Sequence, residues 1–254
     1  MTRTALVSDV HGNAVALDAV LADLERRPVD AVVCLGDMLQ GGAQPAEVAG
    51  RLAALGWPVV LGNADAFLLD ADAGAEVPTP AQLEVRRWSL EALGDEGVRL
   101  LETFRPTVEG DLGGGLRLLA FHGSPRSYDD FLFPSFADGV FRGVLGPDEA
   151  DVYAGGHVHL QFVRRVGRSL FVNPGSVGFS YDHEQPEDGF RLDPWAAYAV
   201  IESDGGSVEV AFRRVPFDVH AVIAAIRASG VPNADRAIAL WGGGDAPHRD
   251  ASGA

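Results

Sequence analysis

Thr4-Ala5-Leu6-Val7-Ser8-Asp9-Val10-His11-Gly12-Asn13 opens on an apolar run and closes on polar residues. A short apolar run with turn formers behind it reads as a buried strand, here residues 4–8. Asn13 suits a helix N-cap. Ala14, Leu17, Val20, Leu21 and Leu24 follow at helical spacing as far as Arg26 and Arg27. The same phrase then recurs. Residues 31–35 form a second apolar run, closed by Gly36-Asp37. Residues 45–55 are helical in pattern, with Pro45 suited to a first turn. Residues 58–61 form a third run, closed by Gly62-Asn63. Strands this apolar, alternating with helices, predict parallel pairing with helices against the sheet.

Beyond this unit the pattern is helical from 78 to about 104, with a break near Gly94. Residues 111–115 read as a turn, 116–121 as a strand, 124–133 as a loop and 135–145 as a short helix. A brief strand at 151–154 ends at Gly155-Gly156-His157. Residues 161–166 and 169–172 predict one hairpin, and 197–201 with 207–215 a second. A last helix covers 217–228. The strands thus divide into an early parallel set and a later antiparallel set. Two mixed sheets packed as an α/β sandwich, flanked by helices, is the economical architecture. One domain over 1–241 is expected, with a Gly-rich, polar tail from 242 to 254 that is too polar to fold.

A formal net charge of -16 repels a phosphate backbone, which argues against long nucleic acid as a partner. A small phosphorylated molecule is still admissible, since local cations decide the field in a cleft. The one cysteine, Cys34, rules out an internal disulfide and fits a reducing cytoplasm. No apolar run is long enough to span a bilayer, so no membrane partner is expected. Oligomeric state is not legible.

Polar residues end one predicted strand after another: Asp9 and His11, then Asp37, Asn63, His122, and finally His157 and His159. Sites in open α/β sheets form beyond the carboxyl ends of the strands. Asp and Asn supply hard oxygen and His supplies imidazole nitrogen, a mixture that suits Mn, Fe, Ni, Co or Zn. The absence of thiolate argues against a structural zinc site. Seven donors are too many for one open catalytic ion and suit two. On a strand His157 and His159 would share a face.

In order, Asp9-Val10-His11, Gly36-Asp37, Gly62-Asn63-Ala64-Asp65, His122-Gly123 and Gly155-Gly156-His157-Val158-His159 resemble the motifs of the calcineurin-like metallophosphoesterases. Asn173-Pro174-Gly175-Ser176 extends the match. The resemblance is to the small bacterial and archaeal phosphodiesterase branch. It implies that Asp9, His11 and His159 hold one metal, that Asn63, His122 and His157 hold a second, and that Asp37 bridges them. Two divalent cations, Mn favoured, would share a hydroxide that attacks phosphorus, with Asp37, His11 and Asn63 at the catalytic centre.

Many relatives carry His directly after the Asn, and here that position is Ala64. The group usually assigned to protonate the leaving oxygen is therefore missing, and Asp65 loses the partner it would orient. Hydrolysis of small phosphodiesters, cyclic nucleotides among them, is expected over that of monoesters. Alternatives are a phosphoprotein or dinucleoside polyphosphate phosphatase, or a metal-binding scaffold without catalysis. Asn63 and Arg126 are candidates for gripping the phosphate, Arg126 as a bidentate donor. Residues 181–194 read as a mobile surface loop, with Asp18, Asp23 and Glu25 on a solvated helix face.

Overall fold

The computed structural model describes residues 1–73, 77–146, 150–186, 188–204 and 206–242. The tail expected from 242 onwards lies outside the described residues after Gly242, and His248 lies with it.

The opening unit folds as its pattern dictates. Strand β1 (Thr2–Val7) leads to α1 (Ala14–Arg26), β2 (Ala31–Cys34) and α2 (Pro45–Leu55). The Asn13 side chain accepts from the Ala16 amide, capping α1, and Pro45 opens α2. The third run is too short for a full strand. It makes single parallel bridges, Cys34 to Val59 and Val60 to Arg105, before α3 (Asn63–Leu69) begins on Asn63 itself. Helix α4 (Pro80–Leu101) is kinked at Gly94, as its sequence suggested. Then come β3 (Val108–Asp111), β4 (Arg117–Ala120), α5 (Asp138–Leu145), β5 (Val152–Ala154), β6 (Gln161–Val166) and β7 (Ser169–Pro174). The chain closes with β8 (Trp195–Ser203), β9 (Val208–Pro216), α6 (Val219–Ser229) and α7 (Ala234–Leu240). Elements α3, β3 and α7 were not read from sequence; each is short, and periodicity has little to act on.

Two mixed sheets flanked by helices result, in the orders β2-β1-β8-β9 and β3-β4-β5-β7-β6. The expected division into early and late strands does not hold. The last hairpin pairs antiparallel with β1, the first strand, at Leu6–Ala199 and Ala5–Val200, so both chain ends share a sheet. In the other sheet β4, β5 and β7 run parallel, with β3 and β6 antiparallel at its edges. Between the sheets lie Leu6, Val33, Leu118, Ala120, Val152, Ala154 and Ala199, all buried. Small residues at Ala120, Ala154 and Ala199 let the layers approach closely.

Helix α1 packs on the outer face of the first sheet and is tied there by a charge. Asp23 is buried, against the expectation of a solvated face. Its carboxylate accepts from the Tyr198 hydroxyl at 2.8 Å and from Arg27 and Arg213 at 2.6 and 3.2 Å. Burial opposes its charge, but the Tyr198 hydroxyl and the Arg213, Arg27 and Arg26 guanidinium groups hold its pKa below the usual carboxylate range. The stabilisation is therefore complete above about pH 4 and is lost as pH falls through the folded pKa. Asp23→Ala leaves a buried hydroxyl without an acceptor and should lower stability by about 2 kcal/mol at pH 7. Urea titrations of both proteins should show that gap narrowing at pH 3; an equal gap at both pH values would refute the assignment.

Candidate metal centre

Strands β1 and β2 run parallel in one sheet, as do β4 and β5 in the other. The loops leaving their carboxyl ends carry the predicted ligands and are stitched together through main chain. The Asp9 amide donates to the Gly36 carbonyl at 3.0 Å and the His11 amide to the Asp37 carbonyl at 2.8 Å. In the second sheet the Gly156 amide donates to the His122 carbonyl at 2.8 Å, and across the sandwich the Gly178 amide donates to the Asp9 carbonyl at 2.9 Å. Buried Ser176 adds its hydroxyl to the Asp9 carbonyl.

Two clusters emerge. Donor atoms of Asp9, His11 and His159 lie within 4.8 Å of one another, as do those of Asp37, His122 and His157. Asp37 stands between them, its Oδ2 3.4 Å from His122 Nε2 and 3.8 Å from His11 Nε2. Its Oδ1 is occupied by the Ala64 amide at 2.8 Å. Asn63, on the first turn of α3, brings its Oδ1 to 3.0 Å from His122 Nε2.

Three imidazoles are oriented by carbonyls: His11 Nδ1 by Gln40 at 2.8 Å, His122 Nδ1 by Leu35 at 2.7 Å and His159 Nδ1 by Phe179 at 2.9 Å. A neutral ring that donates from Nδ1 presents a bare lone pair at Nε2. These Nε2 atoms face one another and the Asp9 and Asp37 carboxylates, and, against the opposing effect of burial, Asp9 raises the pKa of His159. His11 Nε2 lies 3.2 Å from His159 Nε2, and His159 Nε2 lies 3.2 Å from Asp9 Oδ1. Asp9 Oδ1 and His157 Nε2 are buried without a hydrogen-bond partner among the described residues. Nitrogen and carboxylate atoms packed this closely need a proton or a cation between them, and a cation would take the place of the protons. The donor set therefore fits divalent cations, with the carbonyls behind the rings fixing ligand direction.

The backbone is bent to achieve this. Among the described residues six non-glycine residues have positive φ, and five are Asp9, His11, Asp37, His157 and His159. Each such residue costs of order 1–3 kcal/mol and persists only where its surroundings impose it. His157 and His159 therefore do not lie on a strand face as expected. They sit in the turn after β5 and address different clusters. Gly62 is forced by contact: a Cβ there would lie 2.1 Å from Asp37 Oδ1.

Charge follows the same geometry. Burial disfavours ionisation of Asp37, but His122, His11 and His157 hold its pKa well below the usual carboxylate range. Burial opposes protonation of His122, yet Asp37 and Asp9 lift its pKa to about 9. For His157, burial and the neighbouring His122 push the pKa down to about 4.

Other expectations need correction. Arg126 does not reach toward the clusters; its guanidinium donates to the Gly143 and Val144 carbonyls at the end of α5. Asp65 orients no imidazole. It is buried and accepts from the Met38 and Leu39 amides, pinning the loop that carries Asp37. The 181–194 segment approaches the site, with the Tyr181 ring 5.8 Å from His159 and His183 stacked on Tyr181. Sequence reasoning missed Phe179, which stacks on His11 at 4.8 Å, and Gln40; their carbonyls serve the site, and any residue type has a carbonyl.

A two-sheet sandwich with paired clusters of metal-capable side chains beyond its parallel strands is the architecture of a metallophosphoesterase. The chain belongs to the calcineurin-like phosphoesterase superfamily, whose domain model matches residues 2–192. It is similar to the structure of a metallophosphoesterase from Sphaerobacter thermophilus, at 27% identity and a TM-score of 0.68, covering 91% of this chain and 95% of that one. The fold also matches hypothetical protein PH1004 of Pyrococcus horikoshii, with a TM-score of 0.79 at 20% identity over 96% of this chain and 99% of that one. Uncharacterized protein MJ0912 of Methanocaldococcus jannaschii is 27% identical over 232 residues, 85% of this chain and 88% of that protein.

A cation binding at His122 Nε2 must displace a proton held up to about pH 9, whereas Asp37 is already ionised at neutral pH. Mn²⁺ affinity should therefore rise from pH 6 to pH 9, with protons released from His122 and His159 on loading at pH 7. Calorimetry in buffers of different ionisation enthalpy measures the release; pH-independent binding without it would contradict the geometry.

Proposed function

We propose that this protein hydrolyses small phosphodiesters with two divalent cations, Mn²⁺ favoured, seated at Asp9, His11, Asp37, Asn63, His122, His157 and His159. The single observation that supports this most is the pair of adjacent clusters of converging ligand atoms. Bound there, the cations would supply hydroxide near neutral pH and offset charge on the phosphate oxygens.

The chain's own residues do the rest. Asp37 presents Oδ2 toward both clusters while the Ala64 amide fixes its other oxygen. Asn63 offers one amide oxygen toward His122, leaving its NH₂ to donate to a substrate phosphate. His11 is held by Gln40 behind and Phe179 alongside, so its Nε2 keeps one direction. In the overall change one water oxygen bonds to phosphorus, the bond from phosphorus to the leaving oxygen breaks, and that oxygen gains a proton.

Ala64 decides between ester classes. It lines the cleft beside Asn63 with a methyl group, where many relatives have an imidazole. General acid help is typically worth about 10²–10⁴-fold, and a monoester of a poor leaving alcohol depends on it. The buried, unpaired thiol of Cys34 suits a reducing cytoplasm. Among the described residues no helix is long and apolar enough to cross a membrane.

At saturating Mn²⁺, kcat/KM for an aryl diester should exceed that for the matching monoester. Ala64→His should raise the monoesterase rate by about a hundredfold, the low end of general acid catalysis. A monoester preference in the natural protein would reject the diesterase reading. Asp37→Asn should retain less metal and lose turnover on the same diester. Two bound cations with no turnover on either ester would make the protein a scaffold instead.

A further inference from the structure

Beside the second cluster opens a cleft of about 1010 Å³, with Asn63, Ala64 and His157 in its wall. This is far more room than a phosphate and a small alkyl group fill. Phe131 stands in the same wall and is 52% exposed. Its position is fixed all the same. Its ring lies parallel to Phe133, at 2° and 6.0 Å, and 4.4 Å from the ring of His157. A large apolar face left open to water, held in place and set against a metal-capable imidazole, is a ready surface for a planar group.

A second feature asks for a ligand independently. Gln40 also lines the cleft, and its side-chain oxygen is buried with no hydrogen-bond partner among the described residues. Its main chain is anchored, since its carbonyl receives His11 Nδ1. A buried, unmatched amide oxygen is costly, so a donor is expected opposite it. The wall mixes Thr79, Gln82 and Arg236 with Phe67, Val85 and Leu240, so it offers polar contacts at its rim beside apolar surface.

We propose that this cleft seats the nucleoside half of a mononucleotide-scale diester, its base stacked on Phe131 and a base amino group or sugar hydroxyl donating to Gln40 Oε1. The proposal rests on the diesterase reading and specifies its substrate class. A flat heteroaromatic with a polar rim matches an open aromatic face with polar neighbours. The formal net charge of -16 keeps polymeric nucleic acid away but tolerates a single nucleotide.

The test is calorimetric titration of the full-length, Mn²⁺-loaded protein with adenosine 5′-monophosphate and with ribose 5-phosphate. The nucleotide should bind at least tenfold more tightly. Phe131→Ala should weaken nucleotide binding roughly 5- to 100-fold, as for loss of one stacked base, and leave ribose 5-phosphate unchanged. Phe131→Trp should preserve the preference, and Gln40→Leu should reduce it. Metal content is measured on every variant; should Phe131→Ala lose metal, Phe131→Leu decides in its place. Nucleotide binding no tighter than ribose 5-phosphate, or equal loss of both ligands in a metal-loaded Phe131 variant, overturns the proposal. Aryl diester turnover in the same preparations separates the two readings. Turnover without nucleotide preference rejects the nucleoside seat alone. Preference without turnover rejects hydrolysis and upholds the seat.

Discussion

Imidazole nitrogens and a carboxylate brought together at 3.2 Å, His11 to His159 and His159 to Asp9, are the contact around which this site is organised. The arrangement keeps its geometry because each of these groups is held from behind. Carbonyls of Gln40, Leu35 and Phe179 fix three imidazoles, and the Ala64 amide fixes one oxygen of Asp37. Five of the converging residues adopt left-handed backbone. At about 1–3 kcal/mol each, that strain is comparable in sum to the whole stability of an ordinary domain. The sandwich offsets it with main-chain hydrogen bonds between loops and with the buried layer between the sheets.

The converging side chains of the two clusters were legible because apolar strands ended in polar residues that a buried core would not tolerate without purpose. Two mixed sheets were legible for a related reason, since strand and helix periods alternate clearly in the first sixty residues. The pairing of β8 with β1 was not, because strand order across 190 residues leaves no local trace. Nor was the burial of Asp23, which looks solvated by its helical spacing until Tyr198 and Arg213 arrive from β8 and β9. His157 and His159 were read as strand neighbours on one face; positive φ at both splits them between clusters, and φ is invisible in a residue name. Arg126 was chosen by its place beside His122, yet the helix end it caps is only near in three dimensions.

Substitution at one position and exposure at another shape the chemistry that this frame permits. Ala64 offers only a methyl group to the cleft, and it is its amide, not its side chain, that holds Asp37. Phe131 places an open aromatic face next to His157, so the space beyond the second cluster has a character of its own. Asp65, with no imidazole to orient, retains a structural task on the Met38 and Leu39 amides.

Anomalous diffraction from Mn²⁺-loaded crystals, recorded at the manganese edge, addresses the central claim directly. The account predicts two peaks about 3.5–4 Å apart, one among Asp9, His11 and His159, the other among Asn63, His122 and His157, with Asp37 reaching both. A single peak, or peaks lying away from these side chains, would contradict it.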